Sequence, residues 1–170
     1  MKMRLLALIG LLAIVAAIVA AAFFFAGFYS VAATEKDPAI VDWALIKVRQ
    51  ASIWRHATDK PPTSLEDAAV VRTGARAYAE RGCVHCHGAP GVNWSKFSEG
   101  LQPDPPDLKK IVTDREPREL FWVVKNGIKM TGMPSFGATG VPDQEIWSMV
   151  AFLKKLPGVS PEDFKAWSTP

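Results

Sequence analysis

The chain has 170 residues with a formal net charge of +3, and about half of its residues are hydrophobic. Lys2 and Arg4 are the only charged residues before Glu35, and the rest of the chain carries 18 basic and 17 acidic side chains. The excess positive charge therefore belongs to the N-terminus. Because no basic tract interleaved with aromatic residues follows, the composition argues against nucleic-acid binding.

The first predicted element is a membrane anchor. Residues 5–33 are almost wholly apolar, and a bilayer span needs about 20 such residues. The positive N-terminal flank predicts a cytoplasmic N-terminus. We therefore predict a signal anchor over residues 1–33, single-pass in a bacterial inner (cytoplasmic) membrane, with the following domain on the periplasmic side. The alternative is a cleaved signal peptide, because Val31-Ala32-Ala33 supplies small residues near a possible cleavage site.

Residues 34–63 are predicted to form a neck helix and a linker. Asp37 is a suitable N-cap, Pro38 suits the first helical position, and Pro61-Pro62 belongs to the linker that ends the segment. Apolar residues recur at three- and four-residue steps, which predicts an amphipathic helix of about 18 residues. These residues are Ile40, Trp43, Ala44, Val48, Ala51 and Trp54. The same stripe is expected both of a helix packed on its own domain and of a helix lying on a membrane or a partner subunit.

The main domain, residues 64–170 including a C-terminal extension, is predicted to be all-α, because no alternating strand pattern is present. Its helices are marked by capping and stop signals: Ser64 and Asp67 to about Arg81-Gly82, Thr113 and Glu116 to Asn126-Gly127, Asp143 to Pro157-Gly158, and a short helix from Ser160-Pro161. The loops at 88–112 and 128–142 are long. Loops of that length in a compact domain usually carry function, and here we expect them to enclose a group that is not polypeptide.

The chemistry of the domain is indicated by Cys83-Val84-His85-Cys86-His87. This C-x-x-C-H pattern is the attachment signature of haem c. Two thiols three residues apart on a tight turn can reach the two vinyl groups of one porphyrin, and the next residue, His87, then directs its imidazole at the iron.

Two other sites use similar residues. A thioredoxin-like dithiol needs a βαβ setting, which the sequence does not predict. A Cys₂His₂ zinc site needs another ligand pair, but the chain has only these two cysteines, and His56 is the one histidine outside the motif. Haem c, one group covalently bound through Cys83 and Cys86, is therefore the predicted cofactor.

The second axial ligand of the iron has three candidates: His56, Met130 and Met133. The stretch from Asn126 to Phe136, with Met133-Pro134 between two predicted helices, resembles class I c-type cytochromes. The resemblance covers roughly residues 64–157. It implies that Met133 binds the iron through sulfur opposite His87. Met130 is the weaker candidate and is expected to pack, and His56, which lies before the domain start, is expected to be a solvated helix residue.

The same resemblance implies a helix crossing and a hydrogen bond. The family crosses its first and last helices at a small residue and aromatic side chains, which correspond here to Gly74, Tyr78, Met149 and Phe152. It also holds the imidazole of the ligating histidine with a backbone carbonyl, for which Pro105 or Pro106 is the counterpart. Such a bond orients the ligand and raises its basicity.

We therefore predict a membrane-anchored electron carrier with His/Met ligation and no enzymatic activity. The expected partners are redox proteins: a membrane dehydrogenase, a bc-type complex or a terminal oxidase. Lys125, Lys129 and Lys96 are candidate docking residues near the exposed haem edge. The alternatives are a haem enzyme or a gas or peroxide sensor with an open sixth site, and a fixed electron-exit subunit of a membrane dehydrogenase or oxidase.

Overall fold

A computed structural model describes residues 2–62 and 65–169. The described residues form helices and no β-strand, so the predicted all-α class is confirmed. They divide into two compact units, one up to Glu35 and one from Lys36 onward. The α-helices are α1 (Lys2–Phe25), α2 (Ala39–His56), α3 (Ala68–Glu80), α4 (Cys83–His87), α5 (Leu108–Ile111), α6 (Pro117–Asn126), α7 (Asp143–Lys155) and α8 (Pro161–Ser168). Short 3₁₀ turns cover Lys96–Gly100 and Leu156–Gly158.

The first unit is dominated by α1. This helix has 24 residues, and none of them is buried. Among the described residues it is the one helix long and apolar enough to cross a membrane. Its length and composition fit single-pass membrane anchoring.

The neck helix α2 has the predicted length of 18 residues. It begins at Ala39, one residue later than predicted, because the extended backbone of Pro38 (φ −52°, ψ 137°) makes that residue the N-cap. The helix belongs to the second unit and lies against α6. Ile53 and Ala57 are buried there, and the ring of His56 stacks on Trp122 with centroids 6.1 Å apart.

The centre of the second unit is the crossing of α3 and α7. Asp67 caps α3 by accepting a hydrogen bond from Ala69 N at 2.7 Å, whereas the predicted capping residue Ser64 lies outside the described residues. A Cβ on Gly74 would stand 1.8 Å from the carbonyl oxygen of Ser148. Only glycine therefore permits the two backbones to approach this closely, and the predicted crossing at Gly74 is confirmed.

Aromatic side chains fill the core beside this crossing. The rings of Tyr78 and Phe152 lie 5.3 Å apart, as the predicted helix pairing requires. Phe164 of α8 contacts both rings, at 6.4 Å from Tyr78 and 5.7 Å from Phe152. The short last helix is thereby part of the core and not a loose extension.

Two predicted caps are wrong by a few residues. Pro117 disfavours a helical conformation at the residue before it, so α6 begins at Pro117 with Glu116 as N-cap. The Glu119 carboxylate accepts from Glu116 N at 3.1 Å, while the predicted cap Thr113 donates to Lys110 O at 3.2 Å. Asp143 is the first residue of α7 and not its N-cap. Its negative charge still stabilises the helix at this N-terminal position.

Lys154 ties α7 to the segment that follows α5. Its Nζ donates to Val112 O at 2.7 Å and to Arg115 O at 3.0 Å, and it lies 3.4 Å from Thr113 O. One ammonium group therefore satisfies several backbone carbonyls that the ends of short helices leave without partners. Because Val112 is fully buried, this connection is internal to the domain.

Candidate haem-binding site

The C-x-x-C-H motif forms the single-turn helix α4, directly after Gly82 ends the preceding turn. Cys83 and Cys86 are both partly buried free thiols. Residues three apart on a helix lie on the same face, so the two sulfurs share one side of α4. Cys83 and Val84 also pack against the hydrophobic core, which fixes the position of the motif.

The state of Cys83 argues against dithiol redox chemistry. Burial raises the pKa of the Cys83 thiol to about 12, and the neighbouring Cys86 adds to this rise. A nucleophilic dithiol of the thioredoxin type needs a lowered thiol pKa. Among the described residues no group of three or more His, Cys, Asp or Glu side chains is arranged to hold a metal ion, so the zinc alternative also lacks ligands.

His87 is oriented by the loop that follows the motif. Its Nδ1 lies 3.1 Å from the carbonyl oxygen of Pro106, which confirms Pro106 and not Pro105 among the two predicted acceptors. A carbonyl only accepts, so Nδ1 carries the proton and Nε2 keeps its lone pair. Burial lowers the pKa of His87, and the Pro106 carbonyl partly opposes that change. A neutral imidazole with a free Nε2 is the form that binds iron.

Two further residues hold α4, and neither contact was predicted from the sequence. The Tyr78 hydroxyl donates to Gly88 O at 2.8 Å from inside the core. Ser95 N donates to His85 O at 2.8 Å, and the Ser95 hydroxyl lies 3.1 Å from His85 Nδ1. Neither contact has a periodic signature, because its two partners lie ten residues apart along the chain.

The two methionines of the loop between α6 and α7 differ in burial. Met133 is partly buried and packs against the core, and its carbonyl accepts from Ile128 N at 3.2 Å. Met130 is 88 % exposed and adopts a positive φ of 58°, a conformation uncommon outside glycine. The structure therefore places Met133 toward the domain interior and Met130 in solvent.

We call residues 128–136 the methionine loop. This loop packs closely against Gly127. The φ of Gly127 is +67°, and a Cβ there would stand 2.7 Å from Pro134 C and from Ser135 N. The Ser135 hydroxyl donates to Lys125 O at 2.7 Å, and Phe136 N donates to Val124 O at 3.2 Å. The loop is therefore held at the C-terminal end of α6 by one side-chain and one backbone hydrogen bond.

The remaining candidates are His56 and the three predicted docking lysines. His56 is exposed, and its Nδ1 lies 2.8 Å from Ser52 O within its own helix. Lys125 pairs with Asp143 at 2.8 Å and its Nζ lies 5.2 Å from the centre of the Phe121 ring. Lys96 pairs with Glu99, whereas Lys129 is fully at the surface. Of the three predicted docking lysines, Lys129 is thus the one that makes no ion pair within the described part of the chain.

The donors present in the second unit fit a covalently attached haem. Two thiols share one helical face, a neutral imidazole with a free Nε2 follows them, and a thioether is half-buried in the methionine loop. Soft sulfur and imidazole are the donors that haem iron takes in cytochromes. The same set is poorly suited to hard cations, which prefer oxygen ligands.

Comparison with protein-family models matches residues 69–153, half of the chain, to the family described as cytochrome c oxidase, cbb3-type, subunit III. No curated protein and no solved structure matches the chain. The matched segment begins in α3, contains α4 and the methionine loop, and ends in α7. It is a class I c-type cytochrome domain, which carries one covalently bound haem c, transfers electrons and exchanges them with redox protein partners. The chain therefore belongs to the cbb3-type subunit III family of c-type cytochromes.

Proposed function

We propose that Cys83 and Cys86 hold the haem through two thioether bonds and that His87 and Met133 are its axial ligands. The observation that carries this proposal is the 3.1 Å contact between His87 Nδ1 and Pro106 O. It assigns the proton to Nδ1 and leaves Nε2 for the iron. The burial of Met133, against the 88 % exposure of Met130, supports Met133 as the second ligand.

A bound haem c supplies reversible one-electron chemistry at its iron. The chain's own residues decide how that chemistry is used. Pro106 holds the imidazole in one orientation, and the contacts of Gly127 with the methionine loop hold the Met133 backbone in place. A thioether ligand raises the reduction potential, and ligands on both sides leave no position for a substrate. Rigid ligands on both sides favour electron transfer and not bond-making.

We further propose that the domain works in a bacterial respiratory membrane, with α1 in the bilayer and the cytochrome domain on the periplasmic side. The family description names an oxidase subunit, which favours a terminal oxidase among the expected partners. A membrane dehydrogenase or a bc-type complex is then the source of electrons. Because α2 packs on the domain, only residues 26–38 connect it to α1, a short link that suits a fixed subunit.

A carbon monoxide difference spectrum tests the ligation. With Met133 bound, the reduced full-length protein shows little change on adding carbon monoxide. A haem enzyme or a gas or peroxide sensor with an open sixth site binds the gas readily, and that result would replace the carrier proposal.

Purification in mild detergent tests the membrane context. We expect the protein to stay with the membrane fraction in high salt, because an apolar span does not depend on screened charges. An oxidase or dehydrogenase that co-elutes in fixed stoichiometry supports the subunit proposal. Release by salt, or a mature N-terminus near residue 33, contradicts the anchor.

A further inference from the structure

The neck helix α2 carries an apolar face that the rest of the domain leaves open. We call this face the outer stripe and define it as Ile40, Trp43, Val48, Ala51 and Trp54. Its large members are strongly exposed: Ile40 at 70 %, Trp43 at 57 %, Val48 at 67 % and Trp54 at 70 %. They follow one another at three- to five-residue steps and therefore lie along one side of the helix.

The domain contacts a different side of α2. Ile53 and Ala57 are only 7 % and 2 % exposed, and His56 stacks on Trp122 of α6. The sequence predicted that a single stripe would serve either the domain or an outside partner. The structure largely separates the two uses. Five of the six predicted stripe residues are exposed and Ala44 is half-buried, whereas Ile53 and Ala57, which lie outside the stripe, are buried. Trp54 is exposed but borders a groove that Ile111 and Arg115 also line.

We propose that the outer stripe lies in the headgroup region of the lipid bilayer, so that α2 is an interfacial helix. The first argument is its tether. Residues 26–38 connect it to α1, and at about 3.5 Å per residue this segment reaches at most roughly 45 Å. The stripe is therefore held within reach of a bilayer surface whenever α1 spans the membrane.

The second argument is the chemistry of the stripe. Tryptophan is enriched at membrane–water interfaces, because its large ring is apolar and its indole N–H remains hydrated. Lys47 and Arg55 are exposed and lie among the stripe residues by their helical spacing. Long basic side chains can extend from such a face to lipid phosphates while their stems cover apolar surface.

The same charges argue against a protein occupant. Lys47 falls between Trp43 and Ala51 along the stripe, at the middle of the apolar face. The centres of protein–protein interfaces are depleted in lysine, because its ammonium must be desolvated there. At a lipid surface the ammonium remains hydrated and faces negative charge.

The proposal is tested with a nitroxide spin label on the full-length haem protein. The label is placed at Ala51→Cys in the stripe or, as a matched control, at Ala166→Cys on α8, since both alanines are exposed. The protein is reconstituted in vesicles of phosphatidylethanolamine and phosphatidylglycerol. Collisions with oxygen, which concentrates in lipid, are compared with collisions with a water-soluble nickel chelate.

We expect the oxygen-to-nickel collision ratio to be several-fold higher at position 51 than at position 166. In the Ala51→Cys background, Trp43→Ser with Trp54→Ser should lower that ratio to the control value, with an unchanged haem spectrum showing that the domain still folds. Equal ratios at positions 51 and 166 would overturn the proposal. Protection of position 51 from both reagents would also overturn it and would indicate a protein partner or a second copy. None of these outcomes depends on whether Met133 binds the iron.

Discussion

The two sides of the haem-binding site are built in different ways. The attachment side is five consecutive residues, Cys83–His87, which one helical turn brings together and which Tyr78 and Pro106 then hold by single hydrogen bonds. The methionine loop depends on its close fit against Gly127 and on the hydrogen bonds of Ser135 and Phe136 to the end of α6. Local sequence thus specifies the first side, whereas a close tertiary contact specifies the second. On the proposed ligation, covalent attachment depends on the first side and the reduction potential on the second.

The largest expected effect comes from removing the attachment side. Cys83→Ala together with Cys86→Ala should abolish covalent haem, because no other cysteine in the chain can form a thioether bond. Peroxidase-type haem staining on a denaturing gel measures this directly. Persistent staining of the double variant would contradict the attachment proposal, and the Met130→Ala variant serves as a control that keeps the stain.

The next effect concerns the ligand on the opposite side. Met133→Ala should keep the haem attached but open the sixth position, so that carbon monoxide binds and weak peroxidase activity appears. The reduction potential should fall by a fraction of the roughly 0.8 V range that axial ligands span. A redox titration checks this value. Met130→Ala should leave the potential and the spectrum nearly unchanged, and the reverse pattern would assign the ligand to Met130.

A smaller effect is expected from a substitution at Gly127, against which the methionine loop packs. Gly127→Ala adds backbone strain of about 1–3 kcal/mol at a positive φ, and its Cβ meets Pro134 and Ser135. The free energy of unfolding should fall, and part of the protein should bind carbon monoxide. Gly140→Ala is the matched control, since Gly140 also has a positive φ of 84° but open space around its Cβ position. It should lose stability without gaining carbon monoxide binding, and equal carbon monoxide binding in both variants would reject the fit argument.

The smallest effect concerns docking. Lys129→Glu should slow electron transfer to an acidic partner a few-fold at low salt and little at high salt, because charge mainly sets the encounter rate. Stopped-flow kinetics at two ionic strengths measure it. Lys165→Glu makes the same charge change on α8 and should have less effect. Lys125 is a poor site for this test, because its ion pair with Asp143 would be lost as well. Unchanged rates for Lys129→Glu at low salt would remove Lys129 from the interface.

The sequence predicts well those features that depend on neighbours along the chain. The helix class, the 18-residue neck, the Gly74 crossing and the role of Gly82 as a stop signal all follow from local patterns or from the family resemblance. The caps were less certain, because Thr113 and Glu116 both suit a helix start and only the restriction before Pro117 decides between them.

Contacts between distant residues could not be read from the chain. Nothing in the sequence pairs Tyr78 with Gly88 or Phe164 with Phe152, because neither pair has a periodic signature. The sequence could not decide between Pro105 and Pro106, because the direction of each carbonyl depends on the backbone conformation of the loop. For α2, periodicity identified an apolar stripe but gave no information on which side of the helix the domain would cover.

The bonds of Lys154 have a consequence for how the potential of this protein can be tuned. Lys154 joins α7 to the carbonyls of Val112 and Arg115, just beyond the short helix α5, and α5 begins two residues after Pro106. A change in α7 can therefore reach the carbonyl that orients His87 without touching either proposed ligand. For protein engineering, Lys154 is therefore a position away from both proposed ligands at which a substitution is expected to disturb the segment that follows Pro106.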